Sequence, residues 1–289
     1  DNVLQENIII RATEITNSHI RVSVSECVKD LHESQISEYK TKELIDLNSV
    51  EKILYIPSNN KEAETINVFR RWKDSLNGYN IQISTGPVVA FRSKNYLISD
   101  YISNIKLAPL IWLHNVKEME FVFPLNKGTK PSYIIDSEES HNVLLKNKNY
   151  VLIRRFSSKD DKNRLVCSPY FAKSTGTERI GIENHLNYVY RPNGDLSEEE
   201  IWGISALFNS SLFDTYFRTF NGNTQVGATE LKQIKMPPLE KIILIGEKVK
   251  KSVQLQKAEI DNIINEVLFE KLYVKNRRST SDFARVRIA

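Results

Sequence analysis

Glycine is scarce in this chain. Ten occur in 289 residues, about half the usual usage of roughly 7%. No two lie closer than five positions; the nearest pairs are Gly176 with Gly181 and Gly222 with Gly227. GxG therefore never occurs, which excludes a dinucleotide fingerprint or a phosphate-cradling loop, since both need clustered glycines to bring backbone against phosphate. Cysteine is scarcer still. Cys27 and Cys167 are too few and too far apart for a disulfide framework or a cysteine-built zinc site, which suits a reducing, cytoplasmic setting; both are expected as buried apolar fillers. The five histidines (His19, His32, His114, His141, His185) show no ligand spacing, and there is no GxSxG elbow and no HExxH. No stretch approaches 18 consecutive apolar residues, so no transmembrane helix is expected. No basic start followed by an apolar h-region marks an export signal. The chain opens on Asp1, which fits either processing or a piece of something longer. No self-contained active site is visible, and the sequence points toward binding.

What is present is ordinary globular composition, 40% hydrophobic and 26% charged with a net charge of +4. The charge is unevenly spread. Residues 141–180 carry Lys146, Lys148, Arg154, Arg155, Lys159, Lys162, Arg164, Lys173 and Arg179 against only Asp160, Asp161 and Glu178. Tyr150, Phe156, Tyr170 and Phe171 are interleaved with them. Basic residues mixed with aromatics and small polar groups suit phosphate and base contact, although a charge run is equally a solvated face.

The hydropathy pattern predicts an α+β chain. Residues 1–27 read as two strands joined by Thr16-Asn17-Ser18, the second with Ile20, Val22 and Val24 in strict alternation. A polar stretch from Lys29 to Lys52 and a short strand over 53–56 lead to Pro57. A helix is predicted over 62–76, stopped by Asn77-Gly78. Short strands follow over 80–84, 88–92, 110–114, 118–123, 133–136, 150–156, 164–168 and 187–190. Ser197 and Glu200 form a capping box ahead of a helix reaching Phe217. Pro237-Pro238 introduces a long helix over 239–274, where proline suits the first turn. Trp72, Trp112 and Trp202 sit in apolar runs and are expected in the core.

Six ordered blocks carry a family resemblance. They are Val3-Leu4-Gln5-Glu6-Asn7-Ile8-Ile9; Ser84-Thr85-Gly86-Pro87-Val88-Val89 with Phe91-Arg92; Ala108-Pro109-Leu110-Ile111; Val151 to Ser158 around Arg154-Arg155-Phe156-Ser157-Ser158; Glu183-Asn184-His185-Leu186-Asn187-Tyr188; and Phe220-Asn221-Gly222-Asn223-Thr224-Gln225-Val226. Together they resemble the adenine-N6 DNA methyltransferases of bacterial restriction–modification systems, in the PstI/BsuBI-type branch of the TaqI class. The resemblance implies a catalytic domain with a glycine-containing S-adenosylmethionine motif and an Asn/Asp-Pro-Pro-Tyr/Phe motif. Neither is here; Pro237-Pro238 is followed by Leu239. The chain thus resembles only the carboxyl-terminal portion of such an enzyme. Residues 1–57 would be the end of the methyltransferase domain, its last hairpin and a connector. Residues 58–289 would be a DNA target-recognition domain. The expected partners are double-stranded DNA and the upstream catalytic domain, with no membrane. S-adenosylmethionine would serve the parent enzyme and no cofactor this fragment, which would be catalytically inert. The rival readings are a stand-alone specificity subunit and part of a fused restriction–methylation enzyme.

Within that frame the candidate DNA-binding residues are Thr85, Arg92, Arg154, Arg155, Ser157, Ser158, Lys159, Asn184, Asn187, Asn223, Thr224 and Gln225. Arginine reads guanine and asparagine or glutamine reads adenine through paired hydrogen bonds in the major groove. Each has a structural alternative. Thr85-Gly86-Pro87 suits a turn and Asn223-Thr224 a helix cap; Asn184-His185-Asn187 could read bases, although a lone histidine is more often a satisfied structural group. Arg154 and Arg155 are neighbours on a predicted strand and should point to opposite faces.

Overall fold

The computed structural model describes residues 8–14, 18–25, 35–46, 53–125, 130–157, 160–252 and 255–282, with side chains described as far as residue 269. Its amino-terminal part holds β1 (His19–Val24), β2 (Gln35–Lys40), α1 (Thr41–Leu44) and α2 (Asn60–Arg70). The middle of the chain is built of short strands: β3 (Gln82–Thr85), β4 (Leu97–Ile98), β5 (Leu107–Ile111), β6 (Val116–Lys117), β7 (Glu120–Phe121), β8 (Tyr133–Ile135), β9 (Leu144–Lys146), β10 (Tyr150–Arg154), β11 (Cys167–Tyr170), β12 (Arg179–Ile182) and β13 (Leu186–Tyr190). The chain then turns helical in α3 (Glu198–Asn209), α4 (Ser211–Arg218), α5 (Ala228–Gln233), α6 (Leu239–Lys251) and α7 (Lys257–Asp282). This is the α+β architecture expected.

Two sheets and a helical layer stack on one another. The first sheet runs β11-β10-β13-β3, antiparallel throughout. The second runs β4-β8-β5-β12-β9, with β5 and β12 its parallel pair. The run Tyr-Val-Leu-Ile in β10 is apolar at every position because both faces of its strand are covered. Val151 and Ile153, with Ile83 and Val189, pack under the helices against Phe69, Ile204, Phe208, Phe213 and Ile245. Tyr150 and Leu152, with Tyr188 and Leu186, pack against Ile111, Ile180 and Ile182 of the second sheet. The far face of that sheet is closed by Val88, Ala108, Leu110, Trp112, Ile134 and Leu144. Strand alternation thus assigns neighbouring residues to different cores.

The helices hold each other closely at two glycines. A Cβ on Gly203 of α3 would overlap the Ile242 carbonyl of α6, and one on Gly246 of α6 would overlap the Glu199 carbonyl of α3. Both axes come together only because neither residue has a side chain. The capping box is formed as expected: Ser197 Oγ accepts from Glu200 N–H at 3.1 Å, and the Ser197 N–H donates to Glu200 Oε2 at 2.8 Å.

Several boundaries differ from the sequence reading. Val3-Leu4 of the predicted first strand lie outside the described residues, and among the described ones β1 does not pair with the apolar run before it. Residues 8–13 form no strand, and β1 pairs instead with β2, from His19 opposite Lys40 to Val24 opposite Gln35. β2 lies inside the stretch read as merely polar. The helix over 62–76 ends at Arg70; Leu76 starts a separate 3-10 turn that Asn80 closes in the left-handed conformation (φ 55°). No strand forms over 88–92, where Val88 makes only an isolated bridge to Glu183. The helix reaching Phe217 is two helices, because Ser210 turns extended and caps α4, its Oγ accepting from Phe213 N–H at 3.2 Å. The long helix over 239–274 is also two. α6 stops where Ser252 becomes extended (ψ 139°), and α7 starts afresh at Lys257. α7 then packs on α6, with Lys241 donating to the Val267 carbonyl at 2.9 Å and Lys248 paired to Glu266 at 2.8 Å. Asp261 of α7 also accepts from the backbone N–H of Ser211 at the start of α4. A heptad-like pattern cannot distinguish one helix from two that share a core.

Of the expected core residues, Cys167 is fully buried and Trp112 nearly so, while Trp72 and Trp202 are partly buried against the helical core. Cys27 lies outside the described residues.

Candidate nucleic-acid interface

Three of the resemblance blocks, far apart in sequence, meet at one end of the first sheet. β10 ends in Arg154, and the chain continues through Arg155, Phe156 and Ser157. This extension is pinned from both sides by backbone. Arg155 N–H donates to the His185 carbonyl at 2.9 Å, in the turn between β12 and β13. On the other side Val226 N–H donates to the Arg155 carbonyl at 2.7 Å, and Ser157 N–H to the Thr224 carbonyl at 3.0 Å. The loop 221–226 is thereby laid against the end of β10 as an extra, irregular strand, with Phe156 bridging Gln225. A fourth segment joins at Gly86, whose N–H donates to the Leu186 carbonyl at 2.8 Å. No larger residue fits there: a Cβ would collide with the carbonyls of Ile182 and Glu183.

The two arginines separate as strand geometry requires. Arg154 turns back toward β6, its Nε donating to the Val116 carbonyl at 2.8 Å. Burial there pulls its guanidinium below the ordinary arginine range, against the pull of Asp161 and Glu118. Arg155 stays with the converging loops. Its Nη1 donates to the Asn184 carbonyl at 3.0 Å, its guanidinium lies 5.6 Å from the Phe156 ring centroid, and its Nε is buried without a partner.

Asn187 does not face solvent. It is fully buried; its Nδ2 donates to the Val226 carbonyl at 2.7 Å and its Oδ1 accepts from Thr85 Oγ1 at 2.9 Å. Both Asn187 and Thr85 are therefore spent on fastening β3, β13 and the 221–226 loop. Ser157 is also buried, its hydroxyl accepting from Arg164 Nε at 3.0 Å. Asn223, Thr224 and Gln225 are exposed. They do not cap α5, which begins beyond Gly227 without a side-chain cap. Asn184 is half-exposed, its N–H held by the Val88 carbonyl at 2.9 Å. Arg92 is exposed beyond that segment, over the ring of Phe91 at 5.3 Å. Ser158 and Lys159 lie outside the described residues.

Arg164 is the residue whose role the sequence did not reveal. Counted among the basic run, it is only 1% exposed. Its guanidinium spans the site from beneath, donating to Ser157 Oγ, to the Asn221 carbonyl at 3.3 Å, to Asn221 Oδ1 at 3.1 Å and to the Asn223 carbonyl. The Arg164 N–H donates to Asp214 Oδ1 of α4 at 2.5 Å. The one signal in the sequence was its place beside apolar Leu165-Val166-Cys167. The rest of the basic run is dispersed rather than gathered on one face. Arg179 pairs with Asp136 at 3.0 Å, Lys173 with Glu198 at 3.5 Å, and Lys148 donates to the Gly194 carbonyl at 2.9 Å.

The arrangement is a rigid frame carrying exposed polar side chains. It holds neither a metal cluster nor a membrane-spanning helix among the described residues. The glycine that ends a strand, Gly86, is filled against by the chain's own carbonyls and leads to Pro87 and a bridge, not to a helix.

Comparison with known proteins gives the chain its relatives. The chain is homologous to type II methyltransferases over nearly its whole length. It is 35% identical over 270 residues to the type II methyltransferase M.PstI of Providencia stuartii, covering 93% of this chain and 52% of that protein. It is 33% identical over 272 residues to the type II methyltransferase M.BsuBI of Bacillus subtilis, again 93% of this chain and 53% of that protein. The chain spans about half the length of the curated relatives it matches. No family model matches it. Among solved structures, the type IIG restriction endonuclease BpuSI aligns with 86% of this chain and 37% of its own, at 12% identity and a TM-score of 0.43. That likeness is too remote to carry an argument.

Proposed function

We propose that this chain is the sequence-reading part of an S-adenosylmethionine-dependent adenine-N6 DNA methyltransferase of a restriction–modification system. Methyl transfer itself belongs to sequence outside it. The observation that carries the reading is the convergence of Arg155, His185 and the exposed Asn223–Gln225 loop on one sheet end, pinned by backbone and by the buried Arg164. Reading a base edge needs side chains held in fixed positions. Methylating an adenine needs the base extruded from the duplex, so such an enzyme grips DNA from two sides. The relatives' extra length and the uncovered apolar run Ile8-Ile9-Ile10, with Ile9 94% exposed, support a second half that packs on residues 1–57.

Two measurements on the isolated chain test this. Calorimetry with S-adenosylmethionine is expected to show no saturable binding; micromolar binding would overturn the division of labour. Duplex binding is expected to be weak, near the non-specific range of about 10⁻⁴–10⁻⁶ M, yet to keep a preferred sequence, with log K falling as salt rises because phosphate contacts release counterions. Affinity indifferent to salt would overturn the DNA-reading role.

A further inference from the structure

The turn between β12 and β13 contains a buried carboxylate, Glu183, that the reading above leaves unused. Glu183 is 2% exposed. A buried carboxylate is costly to keep unless it is well paired. This one meets neither lysine nor arginine among the described residues; both its oxygens go to His185. Oε2 accepts the His185 backbone N–H at 3.0 Å, and Oε1 lies 2.5 Å from Nδ1. The imidazole is itself on the surface, its side chain 48% exposed. It is wedged against Phe156, ring centroids 4.9 Å apart, and its carbonyl is the acceptor for Arg155 N–H.

This geometry fixes the ring. A carboxylate can only accept, so Nδ1 carries the proton. Nε2 then lies across the ring from Glu183 and has no partner among the described residues. A turn that needed only its backbone tied would be served by the Oε2 contact alone. The second oxygen is spent on aiming an exposed ring.

We propose that His185 is a DNA contact and that Glu183 is its positioning residue. The proposal rests on the DNA-reading role given above. Nε2 would meet duplex DNA beside Arg155 and the Asn223–Gln225 loop. A neutral ring accepts from the exocyclic amine of adenine or cytosine; a charged ring donates to guanine or to a phosphate oxygen.

Selection from a random-sequence duplex pool by the full chain tests this, with wild type, His185→Ala and Glu183→Gln compared and each melted alongside. Glu183→Gln keeps an acceptor for the backbone N–H but can turn an amine toward the ring. For a base contact, both variants lose discrimination at the same base pair, roughly 5- to 50-fold for His185→Ala and less for Glu183→Gln, with melting little changed. For a phosphate contact, His185→Ala weakens every sequence alike and lowers the salt slope by about one. Should His185→Ala fold poorly, His185→Gln carries the same comparison. An unchanged motif and unchanged salt slope in the His185 variant overturn the contact while leaving DNA reading intact. Effects of the two variants at different base pairs overturn the positioning role. A wild-type chain that selects no motif, whether or not its binding follows salt, removes the underlying sequence-reading role, and the proposal with it.

Discussion

Replacing Arg164 by methionine separates a structural clamp from a DNA contact. Methionine keeps an unbranched, flexible side chain and so fills most of the space, but it removes the charge and every side-chain donor. The acceptors left behind are the Ser157 hydroxyl, both oxygens of Asn221 and the Asn223 carbonyl. Ser157 and Asn221 are buried, and each orphaned buried acceptor costs about 1–3 kcal/mol. Part of that is offset, because an arginine charge no longer has to be held out of water. The contact of its guanidinium with the Phe217 ring, 5.5 Å from the centroid, is also lost. A net loss of about 3–5 kcal/mol follows, from several orphaned acceptors less that relief. For a chain of this size that lowers the melting temperature by roughly 6–15 °C. Thermal denaturation followed by circular dichroism measures it. The number of phosphate contacts, read from the salt slope of duplex binding at a temperature where the variant is folded, should not change. An Arg164→Met chain that melts within about 1 °C of wild type yet loses about one unit of salt slope would refute the argument. It would mean that Arg164 leaves its buried place to meet phosphate.

Gly246→Ala should destabilise by more than the roughly 1 kcal/mol that alanine normally adds to helix stability, because its methyl meets the Glu199 carbonyl; a raised melting temperature would show that α3 and α6 slide apart freely. Arg155→Ala should relax base choice at one position, at a cost of about 1–3 kcal/mol in discrimination, while Arg154→Ala should lower stability by about 1–2 kcal/mol through its lost bond to Val116 and leave base choice alone. Sequencing the duplexes each variant retains from a mixed pool decides it, and the reverse assignment would place Arg154 on the DNA. Glu200 gives a pH signature. Burial raises its carboxyl, but hydrogen bonds from Arg191, at 2.8 and 2.9 Å, and from Ser197 N–H outweigh this and hold it below the ordinary range. A depressed folded pKa contributes stability that is complete above the unfolded carboxyl value of about 4.3 and is lost as pH falls through the folded value. Between neutral and strongly acid pH the wild type should therefore lose more stability than Glu200→Gln; equal losses in denaturant titrations would contradict the pairing.

How much of this was legible in the sequence depends on the range of the interaction. Local chemistry read well. The Ser197–Glu200 capping box, the buried Cys167 and the opposed faces of Arg154 and Arg155 each follow from residues within a turn or a strand pitch of one another. The family resemblance was legible in six ordered blocks, and the relatives bear it out. Boundaries read less well, because Ser210 and Ser252 break helices whose apolar faces continue on both sides of the break into one shared core. β2 was missed because its alternation, Ile36 and Glu38 against Ser37 and Tyr39, is weak and mostly polar.

Long-range roles were illegible, and the candidate site shows why. Asn187, Thr85 and Ser157 have the side chains that read bases, and residue type within the family blocks selected them. The fold spends Asn187 and Thr85 on each other and on the 221–226 loop, and the Ser157 hydroxyl on Arg164; the exposed amides of that loop face outward. Arg164 has the side chain that contacts phosphate, and the fold buries it to hold that same loop. A polar residue type states what a side chain can bond. Only the fold decides whether the bond is spent inside or left outside. In this chain the inward bonds are what give the outward ones a fixed place. The polar residues the fold bonds inside and those it leaves outside are therefore two layers of one arrangement, and its outer layer is Arg155, His185 and the Asn223–Gln225 loop.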